Sequence, residues 1–315
     1  MAKLSVVMPV YREAAALRQN VHTLRAALDE HKGSFDYEVI LVNDGSPDES
    51  LEVMEQLRLE APDSTGVISL VRNFGQVAAI FAGLHRVSGD CVAVISADLQ
   101  DPPELIPQMF EKWRAGAKTV LAVRGDREDA WTASVPSRIF YGAMRRYALR
   151  TLPATGFDFF LLDRSVVEHM LLNPESNGFL QGQILYVSGP AVELPYTRRR
   201  RTSGRSGWSL FKKIKYFIDG FIAYTYAPIR LISLLGIALF GAGIAVSILL
   251  VLQRIFWGTG SQGWTSIMVA MLLLHGLEML MIGVIGEYVW RTLDQARKRA
   301  PFVIDYEKLP PGKGR

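Results

Sequence analysis

The segment LSVVMPVYREAAALRQNVHTLRAALDEHKGSFDYEVILVNDGSPDES, residues 4–50, contains two apolar runs separated by an amphipathic stretch. Residues 4–10 and 38–42 have the length and apolar character of buried strands, and residues 13–30 between them have helical spacing. We therefore predict a strand, a helix and a second strand in this order. Such a unit is the repeating element of a parallel sheet covered by helices.

The same alternation continues to about residue 130. Further strands are predicted at residues 67–71, 92–95 and 119–123, and further helices near residues 47–60, 76–87 and 103–115. These repeats predict a Rossmann-like α/β fold with a mostly parallel sheet. No G-x-G-x-x-G sequence follows the first strand, which argues against a dinucleotide-binding oxidoreductase.

Two of these helices have recognisable start signals. Ser46 is expected to be an N-cap, followed by a first-turn proline and the capping-box Glu49. Asp101 is expected to cap the helix near 103–115 in the same way. From residue 131 onward we expect a helix near 136–150, a strand near 156–162, a helix near 164–172 and a short strand near 191–197. The tail, residues 301–315, is expected to be poorly ordered.

The apolar residues concentrate late in the chain, which has 315 residues, a net charge of +4 and a mean hydropathy of +0.15. Residues 231–252 carry no charge, and residues 264–286 are interrupted only by His275 and Glu278. Each run is long enough to cross a hydrocarbon core of roughly 30 Å. We therefore predict a two-helix transmembrane hairpin.

Basic residues flank the predicted hairpin, so the positive-inside rule puts both termini in the cytoplasm. We expect no signal peptide, because the first residues enter a strand directly. Cys91 is the only cysteine, which fits a reducing compartment. The predicted location is the inner (plasma) membrane. The predicted domains are a catalytic domain (1–200), a basic interfacial helix (201–228), two spans (229–290) and a cytoplasmic tail (291–315).

Polar side chains follow the predicted strands where each strand ends. They are Tyr11, Glu13, Asn43, Asp44, Asp98, Gln100 and Arg124. Because the carboxyl ends of parallel strands share one edge, we expect these residues to converge there. Asp98 and Gln100 alternate just beyond a strand, so both oxygens can reach one divalent cation such as Mg²⁺ or Mn²⁺. The alternative is ordinary loop polarity.

Several motifs carry a more specific resemblance. They are VVMPVYREAAAL (6–17), ILVNDGSPDES (40–50), LVRNFGQVAAI (70–80), SADLQDPPE (96–104) and RTSGRSGWS (201–209), followed by the two apolar runs. In this order they resemble the polyprenyl-phosphate glycosyltransferases of glycosyltransferase family 2. The resemblance covers nearly the whole chain and implies the nucleotide-diphospho-sugar transferase type of fold.

The resemblance also implies roles for individual residues. Donor-binding roles are implied for Pro9, Tyr11, Glu13, Val42, Asp44, Asp98, Gln100, Arg124 and Arg201, with Asp98 and Gln100 as metal ligands. Asp158, in FDFFLLDR (157–164), matches an acidic residue near the reacting centre. Three positions depart from the family's pattern: Ser96 replaces a common aspartate, Phe160 a frequent arginine, and Gly207 a frequent lysine.

Other interpretations remain open for several of these residues. Glu13 is also suited to complement a helix dipole, and Asp158 to pair with Arg164 or with a neighbouring basic residue. The run Arg198–Arg201 also fits a solvated charge run or a nucleic-acid patch, but beside a membrane span a basic cluster favours lipid phosphate over nucleic acid. The residues expected to meet the acceptor phosphate and the membrane are Arg198, Arg199, Arg200, Arg205, Lys212 and Lys213. His275 and Glu278 indicate a polar face between packed helices or between subunits, and the second alternative implies a homo-oligomer.

The resemblance implies transfer of a hexose from a nucleotide diphosphate sugar, UDP-glucose being favoured, to undecaprenyl phosphate. The expected partners are the nucleotide-sugar donor, the polyprenyl phosphate and the membrane, with no nucleic acid. One alternative is a catalytically inactive membrane adaptor, for which the three departures argue. The other is a processive polysaccharide synthase, which the absence of a Q-x-x-R-W sequence disfavours.

Overall fold

The computed structural model describes residues 1–125, 141–142, 144–146, 149–172, 179–197, 225, 227–257, 263–297 and 299–311. The chain divides into two compact units. The first unit contains residues Met1–Phe221 and Ala300–Arg315, and the second contains Ile222–Arg299.

The first unit is an α/β domain in which strands and helices alternate. Its strands are β1 (Lys3–Val10), β2 (Asp36–Asn43), β3 (Thr65–Leu70), β4 (Cys91–Val94), β5 (Thr119–Arg124), β6 (Phe159–Asp163), β7 (Val192–Tyr196) and β8 (Ile304–Lys308). Its helices are α1 (Ala14–Asp29), α2 (Ser50–Glu60), α3 (Gln76–Leu84), α4 (Leu105–Arg114), α5 (Arg164–Leu172) and α6 (Leu180–Ser188).

The described strands form one eight-stranded sheet in the order β7-β5-β6-β4-β1-β2-β3-β8. Strands β1 to β4 run parallel to one another, and β5 and β7 share their direction, whereas β6 and β8 run antiparallel to their neighbours. The predicted mostly parallel α/β sheet is therefore confirmed. Strand order reverses at β1, which lies between β2 and β4, and this is where ligands bind in such folds.

The core lies on both faces of the central strands. Leu4, Val6, Val39, Leu41 and Phe159 are completely buried, as expected for strands that helices cover on either side. Helices α1 and α4 pack their apolar faces against the same cluster, which includes Leu17, Leu24, Ile106, Met109 and Phe110. A continuous apolar core of this kind fixes the strand ends that support the polar edge.

The predicted strands and helices up to residue 125 are confirmed, but both helix starts are wrong. Helix α2 begins at Ser50, four residues after Ser46, and helix α4 begins at Leu105. The Ser46 hydroxyl instead accepts a hydrogen bond from the backbone N–H of Arg12. Asp101 is buried and accepts a hydrogen bond from the Tyr196 hydroxyl. Tertiary partners thus replace the local capping pattern at both positions.

Two elements of the first unit were not expected from the sequence. Helix α6 lies in a stretch for which no helix was predicted. The tail was expected to be poorly ordered, which is wrong for β8: this strand pairs with β3, and Glu307 forms an ion pair with Arg86 at 2.7 Å. Backbone pairing to an open sheet edge satisfies hydrogen-bonding groups that a loop would leave to water.

The second unit consists of α7 (Ala227–Trp257) and α8 (Trp264–Ala296), which contact each other. Within the described residues one window, Ile229–Val246, is long and apolar enough to cross a membrane, with a mean hydropathy of 2.2 and 6% of its residues buried. The second transmembrane helix of the predicted hairpin therefore stays a prediction. The predicted basic interfacial helix, residues 201–228, lies almost entirely outside the described residues.

Candidate active site

The predicted site residues follow the ends of parallel strands. Strands β1, β2, β4 and β5 point in the same direction, so their carboxyl ends lie at one edge of the sheet. Tyr11, Asp44, Asp98 and Arg124 stand at or just after these ends. The strand directions therefore support the prediction that these polar residues share one edge of the sheet. Their side-chain contacts divide them into separate clusters.

The first cluster, here called the amide-held cluster, surrounds Asp44. One carboxylate oxygen of Asp44 accepts a hydrogen bond from the Phe74 N–H (2.7 Å), and the other accepts one from the Gly75 N–H (2.9 Å). The residue is only 3% exposed. Burial raises the pKa of Asp44, and the two amide bonds offset only part of that effect. Asp44 thus holds together the loops after β2 and β3.

Gly45 allows the loops after β2 and β3 to approach each other closely. Its φ of +59° is strained for residues with a side chain, and a Cβ at this position would lie 2.3 Å from the carbonyl carbon of Arg72. The two loops therefore pack backbone against backbone. The loop after β1 joins them, because the Glu13 N–H donates to the Ser50 hydroxyl at 3.2 Å. Three consecutive loops are locked together at the expected donor side of the edge.

The second group is the segment that was predicted to hold a cation. Ser96, Asp98 and Gln100 are partly exposed, whereas Ala97 and Leu99 between them are buried. Leu99 has a φ of +43°, an unusual value for a side-chain-bearing residue and one that clusters at functional sites. The Gln100 N–H donates to an Asp98 carboxylate oxygen at 3.3 Å. The alternation expected from the sequence is confirmed here.

The chemistry of this segment fits a cation that is also held by its substrate. Among the described residues, no three His, Cys, Asp or Glu side chains gather in a way that could hold a metal. One carboxylate and one amide oxygen, from Asp98 and Gln100, match Mg²⁺, which commonly takes one or two protein oxygens and completes its shell with phosphates and water. A diphosphate donor would supply those phosphates.

The third group, here called the ion-paired cluster, joins two predicted site residues. An Arg124 nitrogen lies 2.9 Å from an Asp158 carboxylate oxygen, and the two side chains are 14% and 49% exposed. Gln181 donates to the other Asp158 oxygen at 3.2 Å and to the Phe157 carbonyl at 3.0 Å. Burial alone lowers the pKa of Arg124, but Asp158, Tyr196 and Asp101 outweigh it, and the pKa is raised. Arg124 therefore remains a cation.

Of the two alternative partners for Asp158, Arg164 is wrong, whereas pairing with another basic residue is confirmed by the contact with Arg124. Arg164 instead donates to Glu168 and to the Val87 carbonyl. Phe160, where relatives often have arginine, is 1% exposed and packs edge-on against Phe157. This departure therefore fills the core of β6 and leaves the charge at the edge to Arg124.

The remaining predicted residues divide into three kinds. Pro9 and Val42 stand opposite each other on β1 and β2, and because the Val42 side chain is completely buried, its backbone is what can face a ligand. Tyr11 is 40% exposed, and Glu13 is the N-terminal cap residue of α1. Outside the described residues lie Arg198, Arg199, Arg200, Arg201, Arg205, Gly207, Lys212 and Lys213.

Sequence reasoning missed Tyr196, Gln181 and the buried role of Asp101. Asp101 was interpreted as a helix cap because an aspartate before two prolines has that local pattern. Tyr196 ends a short strand that was predicted, but the sequence did not indicate its pairing with β5. Gln181 stands on the unpredicted α6, and no signal in the sequence marks it.

Comparison with known proteins agrees with this architecture. Residues 5–171 match the family model described as glycosyl transferase family 2. The chain is similar to an uncharacterized glycosyltransferase, YkcC, of Bacillus subtilis (34% identity; 95% of this chain and 92% of the relative covered). It is also similar to the bactoprenol glucosyl transferase of Shigella phage SfV (33%; 97% and 99%). A third relative is the undecaprenyl-phosphate 4-deoxy-4-formamido-L-arabinose transferase of Edwardsiella ictaluri (30%; 96% and 93%).

These matches show that the protein is a glycosyltransferase. Its polar residues lie at the sheet edge where the parallel strands end. The chain is a member of glycosyl transferase family 2, and the match covers more than half of its residues. The names of the relatives confirm the resemblance to polyprenyl-phosphate glycosyltransferases that the motifs had indicated.

Proposed function

We propose that this enzyme transfers glucose from UDP-glucose to undecaprenyl phosphate at the cytoplasmic face of the membrane. One observation supports this proposal most directly: two groups of side chains lie at the same edge of the sheet. The first group is Asp98 and Gln100, whose oxygens can bind a cation, and the second is the ion pair of Arg124 and Asp158. The first group suits a metal-bound diphosphate and the second suits an anionic reaction centre. Bactoprenol glucosyl transferases similar over nearly their whole length support the choice of sugar and acceptor.

The reaction is a direct displacement with inversion at the anomeric carbon. An acceptor phosphate oxygen forms the new bond as the bond between the anomeric carbon and the donor phosphate breaks, and the nucleoside diphosphate leaves. The acceptor oxygen is already anionic, so it needs no strong base. Catalysis then comes from positioning and from offsetting charge on the leaving group.

Each cluster has one task in this scheme. Asp98 and Gln100 would hold a divalent cation, whose charge would offset that of the diphosphate. Arg124 adds a positive charge at the same edge, and Asp158 orients the incoming acceptor. The amide-held cluster around Asp44 shapes the nucleoside side of the pocket, where Pro9, Tyr11, Glu13 and Val42 also belong.

The acceptor is a lipid, so the enzyme must work at a membrane. Helix α7 contains an apolar window of 18 residues, which supports a span. We propose that α8 is the second span, with His275 and Glu278 facing a neighbouring helix or a second copy of the chain. The basic residues that would then meet lipid phosphates at the cytoplasmic surface are Arg198, Arg199, Arg200, Arg205, Lys212 and Lys213.

The decisive experiment replaces the proposed metal ligand. Purified Asp98→Ala protein, incubated with UDP-glucose, Mg²⁺ and undecaprenyl phosphate, is expected to form glycolipid at least about 100-fold more slowly than wild type, because a bound cation contributes several kcal/mol to such reactions. Mass spectrometry of the lipid product measures the rate. Asp63→Ala, an exposed aspartate in the turn before β3, is the matched control and should retain full activity.

Three results would contradict the proposal. Wild-type rates in Asp98→Ala would remove this residue from the mechanism. Undiminished transfer by wild type in excess chelator would remove the cation. Binding of nucleotide sugar without any transfer to the lipid would instead favour the inactive membrane adaptor.

A further inference from the structure

Tyr196 connects two parts of the edge that the proposed mechanism uses separately. It is the last residue of β7 and stands opposite Arg124 on β5, with its carbonyl accepting the Gly125 N–H at 2.9 Å. It is 8% exposed, and its ring packs edge-on against Phe159. The side chain is therefore fixed by the backbone on one side and by the core on the other.

The hydroxyl of Tyr196 has two charged partners. It donates a hydrogen bond to a carboxylate oxygen of Asp101, which is 1% exposed. Its second partner is the guanidinium of Arg124, the residue opposite it on β5. A tyrosine hydroxyl has one proton to donate and lone pairs to accept, so it can interact with Asp101 and with Arg124 at the same time. Burial, followed by the Asp101 charge, raises the pKa of Tyr196 and keeps this proton in place.

The two sides of Arg124 differ in their access to solvent. Asp158 has a side chain that is 49% exposed, whereas Tyr196 and Asp101 are buried. A ligand phosphate arriving from solvent meets the exposed side and can replace Asp158 as a partner of the guanidinium. The buried side cannot be replaced in this way, so it keeps Arg124 in position while its outer partner changes.

We propose that Tyr196 and Asp101 are positioning residues that hold the Arg124 guanidinium against the donor diphosphate. Asp101 stands three residues after Asp98, so the same contact ties the position of Arg124 to the cation segment. This inference rests on the proposed function for the identity of the ligand, and the geometry of the three side chains carries the rest. Neither residue touches substrate in this scheme; both act through Arg124.

A double-mutant cycle between Tyr196→Phe and Arg124→Lys tests the proposal. Tyr196→Phe keeps the ring in the core and removes only the hydroxyl. In the wild-type background it should weaken UDP binding in the presence of Mg²⁺, and slow transfer, each by about 10-fold, the usual effect of losing one hydrogen bond to a charged group. In the Arg124→Lys background the same change should alter either quantity by less than about twofold, since coupled residues are not additive.

A matched control separates positioning from stability. The Tyr37 hydroxyl also donates to an aspartate, Asp29, at 2.5 Å, but at the start of β2 on the opposite edge of the sheet. Tyr37→Phe should lower the melting temperature without changing UDP affinity. The proposal is overturned if Tyr37→Phe weakens UDP binding as much as Tyr196→Phe does, or if Tyr196→Phe has its full effect beside Arg124→Lys.

The two measurements also keep this inference distinct from the proposed function. If wild type transfers no sugar to the lipid but binds UDP, the proposed function fails while the binding cycle still decides the role of Tyr196. If transfer proceeds and the binding cycle is additive, the proposed function stands and the positioning role fails. If wild type binds no UDP, both fail.

Discussion

The amide-held cluster and the ion-paired cluster hold a carboxylate at the same edge in opposite ways. Asp44 is 3% exposed and bonded to the Phe74 and Gly75 backbone amides, whereas the Asp158 side chain is 49% exposed and bonded to Arg124 and Gln181. Backbone amides cannot move without moving their loop. Side-chain partners can exchange for a ligand. The first cluster therefore provides shape, and the second provides a charge that can be redirected.

This difference follows from the strands on which the clusters stand. The loops after β1, β2 and β3 belong to consecutive parallel strands and lock one another through Gly45, Ser50 and Asp44. The ion-paired cluster draws on β5, the start of β6 and α6, which are far apart along the chain. Long-range side-chain contacts assemble it, so single substitutions there should change activity with less effect on folding.

The largest effect is expected from breaking the contact at Gly45. Gly45→Ala places a Cβ 2.3 Å from the Arg72 carbonyl carbon at a φ of +59°, which backbone cannot relieve cheaply. We expect a loss of at least about 3 kcal/mol in the free energy of unfolding, together with loss of UDP binding. Denaturant unfolding and calorimetric titration measure the two effects.

Gly116→Ala is the control for Gly45→Ala. Gly116 also has a positive φ, +106°, but no atom lies within 4 Å of its would-be Cβ. It should lose only about 1–2 kcal/mol, the cost of the conformation alone. Equal losses in the two variants would show that the loops do not need to touch, and the amide-held cluster would lose its structural meaning.

A smaller effect, and a direct comparison, comes from the same isosteric change in both clusters. Asp44→Asn turns one acceptor oxygen into an amide that faces a backbone N–H in a buried site, so about 1–3 kcal/mol of stability should be lost. Asp158→Asn keeps one acceptor at a half-exposed position and should lose less than about 1 kcal/mol.

For Asp158→Asn we expect the main effect on catalytic activity and not on stability. Asp158→Asn should lower turnover more than donor affinity, because it removes a charge used in orienting the acceptor. Thermal unfolding and steady-state kinetics on both variants provide the comparison. A pure loss of donor affinity in Asp158→Asn would reassign this residue to donor binding.

The smallest effect is expected from an exposed ion pair that lies outside the proposed active site, and it serves as a reference for the Arg124–Asp158 pair. Arg86 and Glu307 are 2.7 Å apart, with side chains 37% and 38% exposed, and they join α3's end to β8. Arg86→Ala should change stability by about 0.2–1 kcal/mol and leave turnover unchanged. If Arg86→Ala slowed transfer as strongly as Asp158→Asn, loss of any exposed ion pair would lower activity. The result would then give no support for a specific catalytic role of the ion-paired cluster.

The sequence predicted the first half of the domain well for a physical reason. Between residues 4 and 124 the strands are buried apolar runs, and helices α1, α2 and α4 each have one buried face, so run length and hydrophobic period identify most of these elements. It also predicted the exposed alternation of Asp98 and Gln100, because this depends only on neighbours along the chain. The helix starts at Ser46 and Asp101 were wrong because distant partners, Arg12 and Tyr196, outweigh local capping.

By itself, the amino-acid sequence determined the strand and helix pattern, the polar residues that end the strands and the family to which the chain belongs. The tertiary structure alone decided which of these polar residues touch: Asp44 with two backbone amides, Asp158 with Arg124, and Asp101 with Tyr196. It also gave the tail a place at the sheet edge as β8. Contacts between residues distant along the chain depend on strand order, and strand order leaves no local pattern in the sequence.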